Sequence, residues 1–180
     1  MPEKNARYFL KEKDSRALLE RASIKLKADL RQILAGKPSF EVVKMDFADV
    51  FLANGRPLLV EAGGTLYPTL VFVELFPAMP RLVVDMGAIP HLCKGADVMV
   101  PGVRRFDGDF DKGDLVVVVD EKHRKAVAIG EALIDSEEAK KASRGAIVKN
   151  IHFVGDKTWN RIRDLEAKIK PDSRIHETFL

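Results

Sequence analysis

Hydrophobic residues recur along the chain with two periods, and the change of period marks its elements. Leu19, Ala22, Leu26, Leu30 and Ile33 fall at steps of three and four, which puts them on one helical face. Asp14 or Ser15 can cap this helix, and Gly36 with Pro38 can end it. Arg21, Lys25, Lys27 and Arg31 fall mostly on the other side, the pattern of a solvated face. Strand patterning follows from Phe40 and Val42 through Met45. Residues 50–52 and 58–60 flank Asn54-Gly55, the pair best suited to a tight hairpin because both residues tolerate positive φ. Pro57 predicts that the second strand starts late or lies on an edge. Gly63-Gly64 breaks the pattern. Residues 69–76 fit a short helix or a buried strand equally well on periodicity. Pro77 and Pro80 then close this half.

The second half reads as many short strands. Leu82-Val83-Val84 is one. Gly87-Ala88 opens a helical turn that runs to about Cys93 and ends at Gly95-Ala96. Val98-Met99-Val100 is another strand, followed by a Pro101-Gly102 turn and an Asp- and Gly-rich loop over residues 104–113. Residues 115–119 form a continuous apolar strand, and residues 121–124 turn it into 126–134. Ser136-Glu137-Glu138 starts a helix, Gly145 stops it, and residues 146–153 form the last strand. Trp159, Ile162, Leu165 and Ile169 make an apolar stripe on a terminal helix that Pro171 ends. The pattern predicts an α+β fold: an N-terminal α/β domain over 1–79, a small mixed β-barrel-like domain over 80–157, and a C-terminal helix and tail over 158–180. Leu115, Val117, Val119, Ile129 and Val148 are the expected core of the β domain. Internal repeats and low-complexity segments are absent.

Composition narrows the function classes. The 180 residues are 46% hydrophobic and include a single cysteine. Cys93 has no disulfide partner, and a cysteine-rich zinc module is excluded. The longest apolar runs are far shorter than the ~20 residues that a bilayer span requires. The polar start, Met1-Pro2-Glu3-Lys4, lacks the apolar core of a signal peptide. A soluble protein of the reducing cytoplasm, with no membrane contact, is expected. The net charge is +3, too small to coat nucleic acid by charge alone. Residues 1–79 carry 12 basic and 10 acidic groups, residues 80–157 carry 13 of each, and residues 158–180 carry 5 and 4.

Catalytic patterns fail. His91, His123, His152 and His176 are scattered, and His152 reads as a packed strand residue. Cys93 reads as core. Asp107, Asp109 and Asp111 imitate a calcium loop, but Lys112 and Val118 stand where that loop needs Gly and Glu. No phosphate-binding glycine motif is present. No catalytic residue, metal site or cofactor is expected, and the protein is not expected to be an enzyme.

The second half carries a more specific pattern: Leu82-Val83-Val84-Asp85-x-Gly87-Ala88, Gly95-Ala96-Asp97-Val98-Met99-x-Pro101-Gly102-Val103, Gly113-Asp114 before a Val-rich strand, and Ala128-Ile129-Gly130. It resembles the PUA domain, the RNA-binding module named for pseudouridine synthases and archaeosine transglycosylases. Leu58-Leu59, Tyr67-Pro68-Thr69-Leu70 and Phe76-Pro77 resemble the pre-PUA domain of the malignant-T-cell-amplified-sequence protein and ligatin. Asn150-Ile151-His152-Phe153, with Asp156 and Trp159, resembles the end of that family's PUA unit. The chain is similar to a stand-alone, archaeal-like form without ligatin's later domains, and the tail over 170–180 lies outside the pattern. The resemblance implies that residues 69–76 are helical. It also implies a role on the small ribosomal subunit in initiation, reinitiation or recycling.

A PUA domain with balanced charge needs a local basic patch to bind RNA. Lys94, Arg104, Arg105 and Lys149 are the candidate phosphate contacts, near predicted turns beside the two Gly-Ala pairs. Gly87, Ala88, Gly95, Ala96 and Gly102 complete the candidate RNA site, because a chain with little or no side chain lets a ligand approach its backbone. Each glycine also serves as a turn former, and Arg104-Arg105 also fits a solvated loop. The expected function is non-catalytic: binding tRNA, at its acceptor end, and small-subunit rRNA, with an initiation-factor-one-like protein as a further partner. An accessory factor in RNA modification and a protein-interaction scaffold are the competing readings.

Overall fold

The computed structural model describes residues 6–169 and sorts their strands into two sheets. The first is antiparallel, in the order β1 (Arg7–Phe9), β2 (Phe40–Lys44), β3 (Asp49–Ala53), β4 (Arg56–Ala62) and β5 (Thr65–Pro68). Asn54 (φ 49°) and Gly55 (φ 82°) link β3 to β4. Both take the left-handed conformation that a two-residue hairpin of this twist demands. Pro57 departs from the expectation: β4 is flanked by β3 and β5, so Pro57 is not on an edge strand. It faces Leu52 where the β3–β4 register shifts, and such an irregularity tolerates the missing N–H. Its carbonyl accepts from the Thr69 hydroxyl at 2.8 Å.

The helical stripe is split between α1 (Glu12–Leu26) and α2 (Leu30–Ile33). Asp14 and Ser15 lie inside α1 rather than capping it, and Glu12 and Asp14 sit in the first turn, where the dipole favours acids. The first helix ends well before Gly36 because Lys27 turns left-handed (φ 51°). Asp29 restarts the chain, accepting from the N–H groups of Arg31 and Gln32. Leu19, Ala22, Leu26 and Leu30 all remain buried.

Residues 69–75 are neither helix nor strand, and Phe76 opens a short 3₁₀ turn. Phe72 N–H donates to Thr69 O, Leu75 to Phe72 and Phe76 to Val73. These are i to i+3 turns, and they bury Leu70, Phe72, Leu75 and Phe76. The helix implied by the family resemblance is therefore a run of linked turns ending in a 3₁₀ turn at Phe76–Ala78.

The second sheet contains β6 (Arg81–Val84), β7 (Val98–Met99), β8 (Val103–Asp107), β9 (Leu115–Asp120), β10 (Ala126–Ala132) and β11 (Ala146–Phe153). Its order is β7-β11-β10-β9-β6-β8, curled into a half-barrel. The β6–β9 pair is parallel and the others antiparallel. Helices α3 (Ile89–Leu92) and α4 (Ser136–Lys141) cross between strands. Part of the expected 104–113 loop is strand β8, held by its pairing with β6. Among the described residues, no helix is long and apolar enough to cross a membrane.

Strand β9 is buried on both faces, hence its unbroken apolar run. Val116 and Val118 face the half-barrel core with Leu82, Val84 and Val148. Leu115, Val117 and Val119 turn the other way, and Ile129 joins them in a core shared with the first sheet, α1 and α5 (Lys157–Ile169). All five expected core residues are buried. Four of them, however, pack in the junction between the two halves, and only Val148 belongs to the β domain's own core. Helix α5 adds Ile162 and Leu165 to the junction. Pro171 and the rest of the tail lie outside the described residues, as does the side chain of Ile169.

Polar contacts reinforce this junction. His152 is fully buried, with Nδ1 2.9 Å from Asp156 Oδ2, and its Nε2 accepts from Leu70 N–H at 3.3 Å. The proton therefore resides on Nδ1. Asp156 also accepts from the N–H groups of Phe153 and Trp159, the latter capping α5. Nor are the α1 cations simply solvated. Arg21 pairs with Glu61 at 3.1 Å. Lys25 donates to Gly113 O at 3.2 Å, and Lys27 reaches Asp111 and Asp114 at 3.0 and 2.7 Å. They hold α1 to the first sheet and to the loop before β9.

Gly130 marks the tightest backbone approach. A β-carbon there would overlap Val148 and lie 2.7 Å from Lys149 O. Gly130→Ala is expected to lower stability by about 1–3 kcal/mol through overpacking. Urea denaturation measures it, and an unchanged midpoint would show that β10 and β11 can separate without cost.

Candidate nucleic-acid interface

At the C-terminal end of β6 the chain turns through Asp85, whose Oδ1 accepts from Ala88 N–H at 2.8 Å. That bond shapes the turn entering α3. Asp85 N–H donates to Gly102 O at 2.9 Å, drawing the 100–102 turn alongside. A β-carbon on Gly102 would lie 3.3 Å from that of Ala88, so the close approach of the two turns favours glycine there. After α3, Gly95 takes φ +93°, and Asn150 Nδ2 donates to Leu92 O and Ala96 O, both at 3.0 Å. Asp97 accepts from Asn150 N–H at 2.9 Å. Asn150 thereby fastens the α3–β7 loop to β11.

Between these turns lies a cleft of about 460 Å³. Val84, Ala88, Leu92 and Val98 contribute its apolar lining, and Asp85, His91 and Asp97 its polar groups. Met99 lines it and is 48% exposed. Among the described residues, no lysine or arginine lines it. An apolar lining with carboxylates and open backbone suits an uncharged base or ribose and opposes a phosphate.

The structure brings together part of the predicted set. Ala88, Ala96 and Gly102 line the cleft, Gly87 lies in the entering turn, and Lys94 and Gly95 are exposed on the adjoining loop. Arg104 stands beside it, pairing with Asp85 at 3.1 Å and reaching Glu121 at 3.7 Å. Both Arg104 and Arg105 are on strand β8 rather than in a loop. Arg105 is directed away from the cleft and pairs with Asp107, which also binds Arg124. Lys149 is separate as well. It faces Glu131 across the β10–β11 ladder, and Glu131 contacts Lys25 of α1 at 3.6 Å. Asp85, His91, Asp97, Met99 and Asn150 were not among the candidates. The Asp85-x-Gly87-Ala88 spacing signals Asp85 alone, since it suits a carboxylate closing a turn on a backbone N–H; the other four are brought to the site by the fold.

Other candidates resolve into structural roles. Cys93 is half-buried rather than core, and burial pushes its thiol up. Asp107, Asp109 and Asp111 pair with Arg105, Lys140 and Lys27. Among the described residues, no three His, Cys, Asp or Glu side chains are grouped to hold a metal.

Residues 80–154 match the PUA domain family and residues 6–75 match a domain of unknown function, DUF1947. An uncharacterized protein of Methanocaldococcus jannaschii is 36% identical over 155 residues, covering 86% of this chain and 95% of its own length. Translation machinery-associated protein 20 of Saccharomyces cerevisiae is 32% identical over 144 residues, covering 76% of this chain and 80% of its own. The crystal structure of a PUA domain protein of Aeropyrum pernix superimposes with a TM-score of 0.80 at 29% identity, covering 90% of this chain and 93% of that one.

Proposed function

The chain belongs to the stand-alone PUA family of translation machinery-associated protein 20 and malignant T-cell-amplified sequence 1, and from that premise we propose that it is a non-catalytic RNA-binding protein of translation. Residues 80–157 form the RNA-binding unit. The cleft takes the unpaired acceptor end of tRNA, with Gly87, Ala88, Ala96 and Gly102 offering backbone and Lys94, Gly95 and Arg104 at its margin. The carrying observation is an apolar cleft of base size bounded by open turns and, among the described residues, lined by no lysine or arginine. Such a site favours unpaired nucleotides over duplex backbone. The first sheet is the surface for the small ribosomal subunit or an initiation-factor-one-like protein. In support, Tyr8 and Phe9 on edge strand β1 are 47% and 66% exposed, and Phe47 is 44% exposed.

The test is a titration of intact tRNA and tRNA lacking its terminal CCA across a salt series. Intact tRNA is expected to bind more tightly, and Lys94→Glu to weaken it. Two to four neutralised phosphates predict a slope of log affinity against log salt of about −1.4 to −2.8. Equal affinity for both RNAs would overturn the assignment of the cleft.

A further inference from the structure

On the face of the second sheet opposite the cleft, the 69–77 turns meet the β9–β10 turn and leave a groove of about 440 Å³. Leu70, Val73, Phe76 and Pro77 line one wall, and Arg81, Arg124 and Lys125 line the other with Val119 and Ala126. Among the described residues, no carboxylate lines it. Val73 is 58% exposed, and Arg81 Nε is buried without a hydrogen-bond partner. The cationic wall is held in place from within. Buried Asp120 accepts from the N–H groups of His123 and Lys125, at 2.5 and 3.0 Å. Those bonds set the turn that presents Arg124 and Lys125. Beside the groove, Asp107 stands opposite Arg81 on β8. It already carries Arg105 and Arg124, so the cations outnumber the acid.

We propose that this groove is a second RNA contact that binds the sugar-phosphate backbone of the RNA whose free end occupies the cleft; the proposal thus rests on the function proposed above. The two sites divide the chemistry between them. The cleft has carboxylates and no strong cation, so it can hold a base or ribose but cannot neutralise the strand that leads to it. Among the described residues the groove has three cations and no carboxylate in its lining, which matches phosphate. Arg81 lines the groove and Val84 the cleft; three residues apart on β6, they point to opposite faces of the sheet. Arg104 and Arg105, both more than half exposed, lie on the edge strand β8 and already pair with Asp85 and Asp107, so the cations left for an incoming phosphate are those of the groove. The apolar wall of Val73 and Pro77 offers a surface for a sugar or base edge. Contacts of this kind fix the position of an RNA without reading its sequence.

The test compares the full-length wild-type chain with the double variant Arg124→Gln, Lys125→Gln, using intact tRNA, tRNA lacking CCA and a four-nucleotide RNA ending in CCA. Circular dichroism confirms the fold of the variant. The variant is expected to bind intact tRNA about ten-fold more weakly. Its salt slope should be shallower by about 1.4–1.8, for two phosphates at 0.7–0.9 each. Binding of the four-nucleotide RNA should be unchanged, because it occupies the cleft alone. An unchanged tRNA affinity and slope would overturn the groove proposal, and the groove would then be left to an acidic protein surface. That result leaves the cleft intact if removal of CCA still weakens binding. Equal wild-type affinity for the two tRNAs overturns the cleft instead, even where the variant loses affinity for both.

Discussion

Truncating Ile129 to Ala should lower the free energy of unfolding by about 2–5 kcal/mol, the range for large-to-small changes at fully buried aliphatic positions. Ile129 has no exposed surface. It stands opposite Val117 on β9 and His152 on β11, and it packs in the core that both sheets and α5 share. The cavity would open between elements already tied by hydrogen bonds and ion pairs, which limits how far they can collapse to fill it. Because the lost contact belongs to the junction, both halves should unfold together at a lower urea concentration. Fluorescence of Trp159 on α5 and far-UV circular dichroism should report coincident transitions. A loss below about 1 kcal/mol would show that the junction closes around the smaller side chain. Separated transitions would show that the two sheets do not depend on this core.

Asp156→Ala should cost about 3 kcal/mol, because one carboxylate serves three donors. It accepts from the Phe153 and Trp159 N–H groups and from His152 Nδ1. Removal uncaps α5 and orphans a buried imidazole N–H. The same hub gives stability a pH dependence. Burial works to raise the Asp156 carboxyl, but the His152 hydrogen bond, with the two N–H bonds, outweighs it and holds the group below the usual carboxylate range. A carboxyl depressed in the folded state binds protons more readily once unfolded. Its contribution is complete above the unfolded value of about 3.9 and is lost as pH falls through the folded one. The wild-type chain should therefore lose stability below about pH 4, and the Asp156→Ala chain should lose less over that range. Parallel pH profiles of the two proteins, followed by thermal unfolding, would mean that Asp156 does not hold the acid sensitivity of the junction.

What could be read from the sequence alone was governed by neighbours along the chain. Asn54-Gly55 specifies its hairpin because few other pairs accept positive φ twice in succession. The run over 115–119 announces a buried strand, and Leu19 to Leu30 announces a helical face, because burial imposes a period on the residues themselves. The spaced Gly-Ala pairs identify the PUA domain and the turns that bound its cleft, since each turn depends on small residues at set offsets. Only the tertiary structure decided what those elements face. Leu115 and Val116 are equally apolar and adjacent, yet one packs in the junction and the other in the half-barrel, because successive strand side chains point to opposite faces. The stripe through Leu26 and Leu30 breaks at Lys27, whose ammonium reaches Asp111 and Asp114 far along the chain. Arg104 and Arg105 are neighbours in sequence, but β8 pairing with β6 sends one to Asp85 beside the cleft and the other to Asp107 toward the groove. Charge partners, strand register and shared cores join residues tens of positions apart, and no local period encodes that pairing.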